Sequence, residues 1–266
     1  MCVILFSAGA HARYPLIVAA NRDEAYDRPA APAGFWNDHP HVCAGRDLTA
    51  GGTWLGLSTT GRFAAITNYR QGIRAGAAPR SRGALTSDFL TGRDEPSAYM
   101  EEAARHGDDY GGYSLIAGTP ERLYFCSNRG VAPHAVAPGV HGLSNRLLDE
   151  PWPKVQRGMA VLESLADASE AALLEGLFEV LADTAAAPDH LLPSTGITLE
   201  RERDLSALFI PGGSYGTRAS TVVLVREDGG VVFVEKSFGP RGKPLGIAER
   251  RFRLEPSAIA ALQATP

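Results

Sequence analysis

The chain has 266 residues, of which 44% are hydrophobic and 21% are charged, and its formal net charge is −4. These values are typical of a globular protein and exclude a general attraction to nucleic acid. No apolar run is long enough to span a bilayer, so we expect a protein that is not transmembrane. The three cysteines lack the spacing of a metal or redox site, which favours a reducing, cytoplasmic compartment. We predict that residues 1–266 form a single domain.

The first third of the chain is predicted to form two β-hairpins, because apolar runs alternate there with turn residues. The predicted strands are residues 3–6, 15–20, 53–58 and 62–67. The stretch between the hairpins, residues 28–52, is rich in Pro and Gly. We expect it to be an ordered loop.

A block of predicted helices interrupts the strands. Residues 81–106 have a helical pattern, with Pro96 at the start of a second piece. Two further helices are predicted to begin near Pro153 and at Ser169, each with apolar side chains on one face. Residues 188–211 show no regular pattern.

The remaining predicted strands lie at residues 113–118, 122–127, 220–226, 231–238 and 247–254. Strands, helices and then strands again therefore follow one another in separate blocks. This order is typical of an α+β fold with mainly antiparallel sheets. Two packed sheets with helices outside would accommodate the pattern.

The first hairpin brings a cysteine next to a polar cluster. If its turn is centred near residues 11 and 12, the start of the first strand lies beside the end of the second. Cys2 then faces the segment 21–24, Asn-Arg-Asp-Glu. The alternative interpretation is that Cys2 is a small buried hydrophobe and the polar segment is a solvated turn. The two features together favour a functional site.

Cys2 is also chemically special by its position. Initiator methionine is normally removed before a small residue, which leaves a thiol and a free α-amine on Cys2. An α-amine has a pKa of about 7.7–8.0 and can accept the thiol proton near neutral pH. We expect Arg22 to lower the thiol pKa and Asp23 to orient the ammonium form.

Three further polar residues follow predicted strands or precede them, namely Asn68, Asn145 and Arg218. Asn side chains can donate to a developing oxyanion, and Arg218 can bind a carboxylate or stabilise charge. Each could instead be a strand-end cap or a surface residue. The side chains expected to contact a ligand beside them are Asn21, Glu24, Trp54, Tyr69 and Arg70.

Several segments resemble, in order, the NRDE family, the family of transport and Golgi organisation protein 2. These segments are MCVILF, VAANRDE, GGTWLGLSTTGRFAAITNYR, GLSN, YGTRASTVVLV and VEKSFGP, and the resemblance runs from Met1 to about Leu254. It implies a fold similar to that of the N-terminal nucleophile (Ntn) hydrolases. That fold is a four-layer αββα sandwich of two mainly antiparallel sheets flanked by helices.

Among those hydrolases, the choloylglycine hydrolase and penicillin V acylase branch uses an N-terminal Cys. The resemblance implies hydrolysis of an amide or thioester, with corresponding residues Cys2, Arg22, Asp23, Asn68, Asn145 and Arg218. One departure stands out, because the acylases separate their Arg and Asp by two residues, whereas Arg22 and Asp23 are adjacent. Neighbours on a strand point to opposite faces, so Asn21 and Asp23 share a face that Arg22 does not.

The resemblance also implies a rival, non-catalytic function, because family members are implicated in heme trafficking and in binding fatty acyl-coenzyme A. No metal site or required cofactor is predicted, and heme is expected only as an alternative ligand or cargo. The seven histidines form no ligand pair, and no Cys-x-x-Cys-His attachment site is present. Of the histidines, His39 and His41 are expected to be the likeliest to meet a ligand.

Overall fold

The computed structural model describes residues 2–72 and 78–264 and contains two antiparallel β-sheets. The strands of the first sheet are β1 (Cys2–His11), β2 (Tyr14–Ala25), β10 (Gly139–Leu143), β11 (Tyr215–Val225), β12 (Gly230–Gly239) and β13 (Lys243–Arg253). They are arranged in the order β10-β1-β2-β11-β12-β13. The N-terminal strand therefore lies inside the sheet and not at its edge.

The second sheet has seven strands in sequential order. They are β3 (Ala30–Phe35), β4 (Val42–Asp47), β5 (Leu55–Ser58), β6 (Phe63–Asn68), β7 (Tyr113–Thr119), β8 (Arg122–Ser127) and β9 (Val131–Ala135). Each strand pairs with the next in the chain, so short turns are enough to build most of this sheet.

The two sheets pack face to face because their strands are apolar on both sides. Side chains alternate along β1, so Ile4 and Phe6 enter the core between the sheets, whereas Val3 and Leu5 enter a second core against helices. A strand that is buried on both faces reads as a continuous apolar run, which is the pattern of residues 3–6.

Helices cover the outer face of each sheet. The helices of the described chain are α1 (Arg82–Thr91), α2 (Pro96–Arg105), α3 (Pro153–Ser164), α4 (Glu170–Leu181), α5 (Leu199–Asp204) and α6 (Pro256–Ala264). Of these, α6 packs through Leu262 against the core between the sheets. The first pair packs on the second sheet, and α3 and α4 pack on the first. The predicted α+β sandwich with four αββα layers is confirmed. Among the described residues, no helix is both long and apolar enough to cross a bilayer.

The expectation of a loop over residues 28–52 is wrong, because β3 and β4 lie there. β3 is an edge strand, where Pro32 is tolerated because an edge strand can lack one N–H donor. In β4 the buried side chains after Val42 are small, at Cys43 and Ala44, so no clear apolar alternation marks the strand. The sequence prediction also missed α5 and α6.

Candidate active site

A cavity of about 1440 Å³ is lined by residues of both sheets. Most of the residues proposed for the site from sequence line it, namely Cys2, Arg22, Asp23, Glu24, Trp54, Asn68, Tyr69, Arg70 and Arg218. Asn21 and Asn145 are not among its lining residues. The fold therefore gathers residues from the start of β1, the end of β2, the end of β6 and the start of β11.

Cys2 begins β1 and lies directly opposite Arg22 of β2 in the hairpin register. Residues opposite each other in an antiparallel pair project to the same face, so the Cys2 and Arg22 side chains are neighbours on the cavity side. The Cys2 carbonyl accepts a hydrogen bond from Ser144 Oγ at 3.0 Å. The predicted contact between Cys2 and the 21–23 segment is confirmed by this register.

Burial dominates the electrostatics of the Cys2 thiol. The residue is 8% exposed, and its burial raises the pKa of the thiol above its usual range. The backbone N–H of Asp23 and the charge of Arg22 act in the opposite direction, because both favour the thiolate. The thiol is therefore protonated at neutral pH, and any reaction through its sulfur needs a base.

Arg22 extends from the same face into a small ion-pair cluster. Its Nη2 lies 3.3 Å from Asp47 Oδ2 and 3.7 Å from Glu24 Oε2. Arg28 Nε also approaches Asp47 Oδ2, at 2.5 Å. The predicted alternation holds: Arg22 faces the space between the sheets with Cys2, whereas Asn21 faces the helix side. Because Arg22 and Asp23 are adjacent, their side chains project from opposite faces of β2 at the end of that strand. Asp23 follows Arg22 at the end of β2 and still lines the cavity.

Asp23 is one residue beyond the partner of Cys2, which puts it beside the amino end of Cys2. Its Oδ1 accepts a hydrogen bond from Thr217 Oγ1 at 2.6 Å. Burial raises the pKa of this carboxyl, and the nearby charge of Lys154 opposes the rise. Lys154 itself is 1% exposed, and burial lowers its pKa to about 8.

The expectation that Asn21 binds a ligand is wrong, because its amide is fully buried and engaged on the helix side. Its Nδ2 donates to the carbonyls of Leu181 and Leu208 at 2.8 and 2.9 Å. Its Oδ1 accepts from Ser220 Oγ at 2.6 Å. Asn21 therefore ties β2 and β11 to the end of α4.

Arg218 occupies a β-bulge in β11. Thr217 pairs with Asp23 and Ala219 pairs with Arg22, so Arg218 is the extra residue between two regular pairs. A bulge redirects a side chain, and Arg218 lines the cavity as a result. Its Nη1 donates to the carbonyls of Ala25, at 3.1 Å, and of Arg28. The guanidinium is thus positioned by backbone groups.

Asn68 and Asn145 are joined by a hydrogen bond at the end of β6. Asn145 is fully buried, and its Nδ2 donates to the Asn68 carbonyl at 3.0 Å. The Asn145 carbonyl accepts from the backbone N–H of Arg70 at 2.6 Å. The Asn68 side chain is exposed to the cavity, whereas Asn145 is buried behind the cavity wall and supports the segment that carries Asn68.

Arg70 is a wall residue whose guanidinium is already paired. Its Nη1 lies 2.5 Å from Glu202 Oε2, and both side chains are almost fully buried. The guanidinium also lies over the Trp152 ring, at 4.8 Å from its centroid. Arg70 lines the cavity, and its expected contact with a ligand stays a prediction. Tyr69 and Trp54 remain partly exposed on the cavity wall.

The sequence analysis missed several charged residues at or behind the site, among them Arg82, Arg129, Lys154 and Glu235. Glu235 is 4% exposed and lines the cavity, with a pKa raised by burial. It interrupts the apolar run of β12, and that interruption is a sequence signal that could have revealed it. The others belong to helices and turns that only the tertiary fold brings here. His39 and His41 are not among the residues that line the cavity.

The chain matches the family described as Transport and Golgi organisation 2 over residues 1–240. The Transport and Golgi organization protein 2 homolog of Bos taurus is 39% identical over 257 residues, with 89% of this chain and 93% of the relative covered. The Homo sapiens homolog is 35% identical over 257 residues, with the same coverage.

Among solved structures, the penicillin V acylase from Agrobacterium tumefaciens superposes with a TM-score of 0.50 at 13% sequence identity. The superposition covers 89% of this chain and 83% of that one. This likeness shows that the two proteins share the Ntn-hydrolase fold. The sequence matches go further, and they show that the chain belongs to the transport and Golgi organisation 2 family.

Proposed function

We propose that the protein is an N-terminal nucleophile hydrolase that cleaves an amide or thioester bond of a small molecule through Cys2. The observation that carries this proposal is the register of the first hairpin. It puts the thiol of Cys2 on the cavity wall beside Arg22, with Asp23 next to the amino end of the same residue. The three groups that the mechanism needs, a nucleophile, a base and an orienting carboxylate, thus come from the start of β1 and the end of β2.

The first step transfers the thiol proton. After removal of Met1 the α-amine of Cys2 is the nearest base, and its ordinary pKa of about 7.7–8.0 leaves part of it neutral near pH 7. The amine takes the proton as the sulfur attacks the carbonyl carbon. Asp23 accepts a hydrogen bond from the resulting ammonium. Since burial raises the pKa of the thiol, the reaction depends on this transfer.

The second step collapses the tetrahedral intermediate. Its oxyanion accepts hydrogen bonds from the exposed Asn68 amide, and Arg218 stabilises the developing charge. The ammonium returns its proton to the leaving amine or thiol as the carbon–nitrogen or carbon–sulfur bond breaks. Water then attacks the Cys2 thioester and gives one proton to the α-amine. As the carbon–sulfur bond breaks, the ammonium returns that proton to the sulfur, which releases the acid and restores the free thiol and the neutral amine.

The test compares Cys2→Ser with Cys2→Ala on a panel of amides and thioesters. The Ser variant can keep part of the turnover, because a hydroxyl can still attack, whereas the Ala variant should lose it completely. Cys43→Ala is the matched control, since Cys43 is a fully buried core residue away from the cavity. The proposal fails if Cys2→Ala turns over any substrate at the wild-type rate.

The role of the α-amine has a separate test. Inserting one Ala between Met1 and Cys2 leaves the thiol in the hairpin but moves the amine by one residue. Turnover should fall by at least the 10²-fold that a positioned base contributes, while ligand binding persists. An intact mass measurement confirms the processed N-terminus of each protein. Unchanged turnover in the inserted variant would rule out the amine as the base.

A carrier of heme or fatty acyl-coenzyme A is the second candidate function, favoured by the size of the cavity. Its volume of about 1440 Å³ exceeds the roughly 300–1,000 Å³ of ordinary small-molecule pockets. No histidine is among the described residues that line it, so Cys2 or a tyrosine would have to bind a heme iron. Heme bound by a Cys2 thiolate would be lost in both Cys2 variants, whereas acyl-coenzyme A binding would tolerate both.

A further inference from the structure

The cavity is rich in arginines, and most of them are neutralised by acids. Those that lie within 4.0 Å of a carboxylate are Arg22, Arg28, Arg46, Arg70, Arg80 and Arg201. Arg82 and Arg129 also line the cavity, but neither forms an ion pair with any described residue. Arg218, the remaining one, is held by two backbone carbonyls.

The two unpaired guanidinium groups flank one dipeptide, Gly111–Gly112, which precedes β7. Arg82 Nη1 donates to the Gly112 carbonyl at 3.1 Å. A Cβ atom on Gly111 would lie 3.4 Å from Arg82 Nη1, and one on Gly112 would lie 3.2 Å from Arg129 Nε and Nη2. Neighbouring Cα atoms are about 3.8 Å apart, so both charges lie around the same short segment.

No carboxylate among the described residues lies within ion-pairing distance of either guanidinium group. Arg82 is only partly exposed, and burial lowers its pKa, while the charge of Glu24, which lies beyond ion-pairing distance, opposes that fall. The Arg129 side chain has one hydrogen bond, from Nη1 to the carbonyl of its own neighbour Asn128 at 2.8 Å. A guanidinium group that lines a cavity without an acidic partner favours an anionic ligand beside it. Arginine is also the residue that binds carboxylate and phosphate most directionally.

The wall contributed by β12 and β13 has the opposite character. Phe238, Leu245 and Ile247 line the cavity there, and the last two are 63% and 68% exposed. The cavity thus offers apolar surface on one wall and unpaired cations on another, with Cys2 among its lining residues. A ligand that matches this arrangement has an apolar part and an anionic part.

We propose that Arg82 and Arg129 form a subsite for an anionic group, carboxylate or phosphate, on an acylated ligand of this cavity. The inference rests on the proposed function for the position of the scissile bond near Cys2. It adds that the substrate is an amphiphile, with its acyl part on the apolar wall and its negatively charged part at Gly111–Gly112.

The test uses pairs of ligands that differ only in charge. N-octanoylglycine is compared with N-octanoylglycinamide, and N-octanoyl-O-phosphoethanolamine with N-octanoylethanolamine. Binding is measured by calorimetry on the Cys2→Ala protein, which has no attacking sulfur, and the pairs report carboxylate and phosphate separately. Arg129→Gln is the main variant because its single hydrogen bond is local. The matched control is Arg122→Gln, an exposed arginine on β8 that does not line the cavity.

Each anionic ligand that uses the subsite should bind at least tenfold more tightly than its neutral partner, which corresponds to about 1.4 kcal/mol. Arg129→Gln should remove that preference and leave the neutral ligand unaffected, while Arg122→Gln changes neither. Arg82→Lys, which keeps a charge, should retain part of it. The larger preference identifies carboxylate or phosphate as the group recognised.

The proposal is overturned if no anionic ligand is preferred, or if Arg129→Gln weakens the charged and neutral ligands equally. Turnover by the wild-type protein is measured in parallel on the same compounds. Charge preference without turnover would support the subsite and count against the hydrolase. Turnover with no charge preference would do the reverse.

Discussion

At the scale of single residues, the three cysteines differ in what surrounds them although all are buried. Cys43 and Cys126 belong to apolar cores, and burial raises the pKa of each thiol to about 12. Burial also raises the pKa of Cys2, but this thiol lines the cavity and Arg22 favours its ionised form. Access and charge together therefore single out one of three similar groups.

Iodoacetamide should consequently alkylate Cys2 before Cys43 and Cys126. Because the pKa of Cys2 lies above its usual range, only a small fraction is thiolate at pH 7, and the labelling rate should increase as the pH rises from 7 to 9. Arg22→Gln should slow the labelling, since it removes a charge that favours the thiolate. Peptide mass mapping measures the rate at each site. Equal labelling of all three cysteines, or selective protection of Cys2, would contradict a primed nucleophile.

The polar segment Asn21–Asp23 shows what sequence could and could not predict about the site. Strand alternation was enough to separate Arg22 from its two neighbours. Which face carries the cavity could not be predicted, because that depends on how a second sheet packs from strands far along the chain. Asn21 was misassigned for this reason. Arg82 and Arg129 were missed because the segment beside them, Gly111–Gly112, has no side chains that would mark a site in the sequence.

At the scale of elements, the helix layer is attached to the first sheet through Asn21. We expect Asn21→Ala to destabilise the fold by about 3 kcal/mol, since it leaves two buried carbonyls and a serine hydroxyl without their partner. Ser220→Ala removes only one of these bonds and should cost less. Urea denaturation followed by circular dichroism measures both. A loss for Asn21→Ala no larger than that for Ser220→Ala would show that this tie does not hold α4 in place.

At the scale of the whole molecule, Glu235 connects the two sheets across the cavity. It lies on β12, and its Oε1 accepts a hydrogen bond from the backbone N–H of Ala33 on β3 at 2.8 Å. Burial raises the pKa of this carboxyl above its usual value of about 4.5. The native state therefore holds a proton that the unfolded state has lost, and its stability falls as the pH rises through that range.

Glu235→Gln mimics the protonated carboxyl and keeps an oxygen that can accept the hydrogen bond from Ala33. It should therefore remove the fall in stability with rising pH. The variant should gain stability relative to the wild type as the pH rises above about 4.5, whereas Glu235→Ala, which removes the tie, should be less stable throughout. Thermal melts across the pH range measure the differences. A stability difference between Glu235→Gln and wild type that does not change with pH would contradict the raised pKa.

The interior position of β1 has a consequence for biosynthesis. Cys2 leaves the ribosome first, but its strand is flanked on one side by β10, which begins only at residue 139. At about 5–20 residues per second, roughly 7 to 27 seconds of synthesis separate the starts of the two strands. Once the sheet closes, Cys2 is buried. The methionine removal that the proposed mechanism requires would therefore take place on the nascent chain, within that interval. On the proposed mechanism, the amine that acts as base would thus be created during translation, before the cavity that uses it exists.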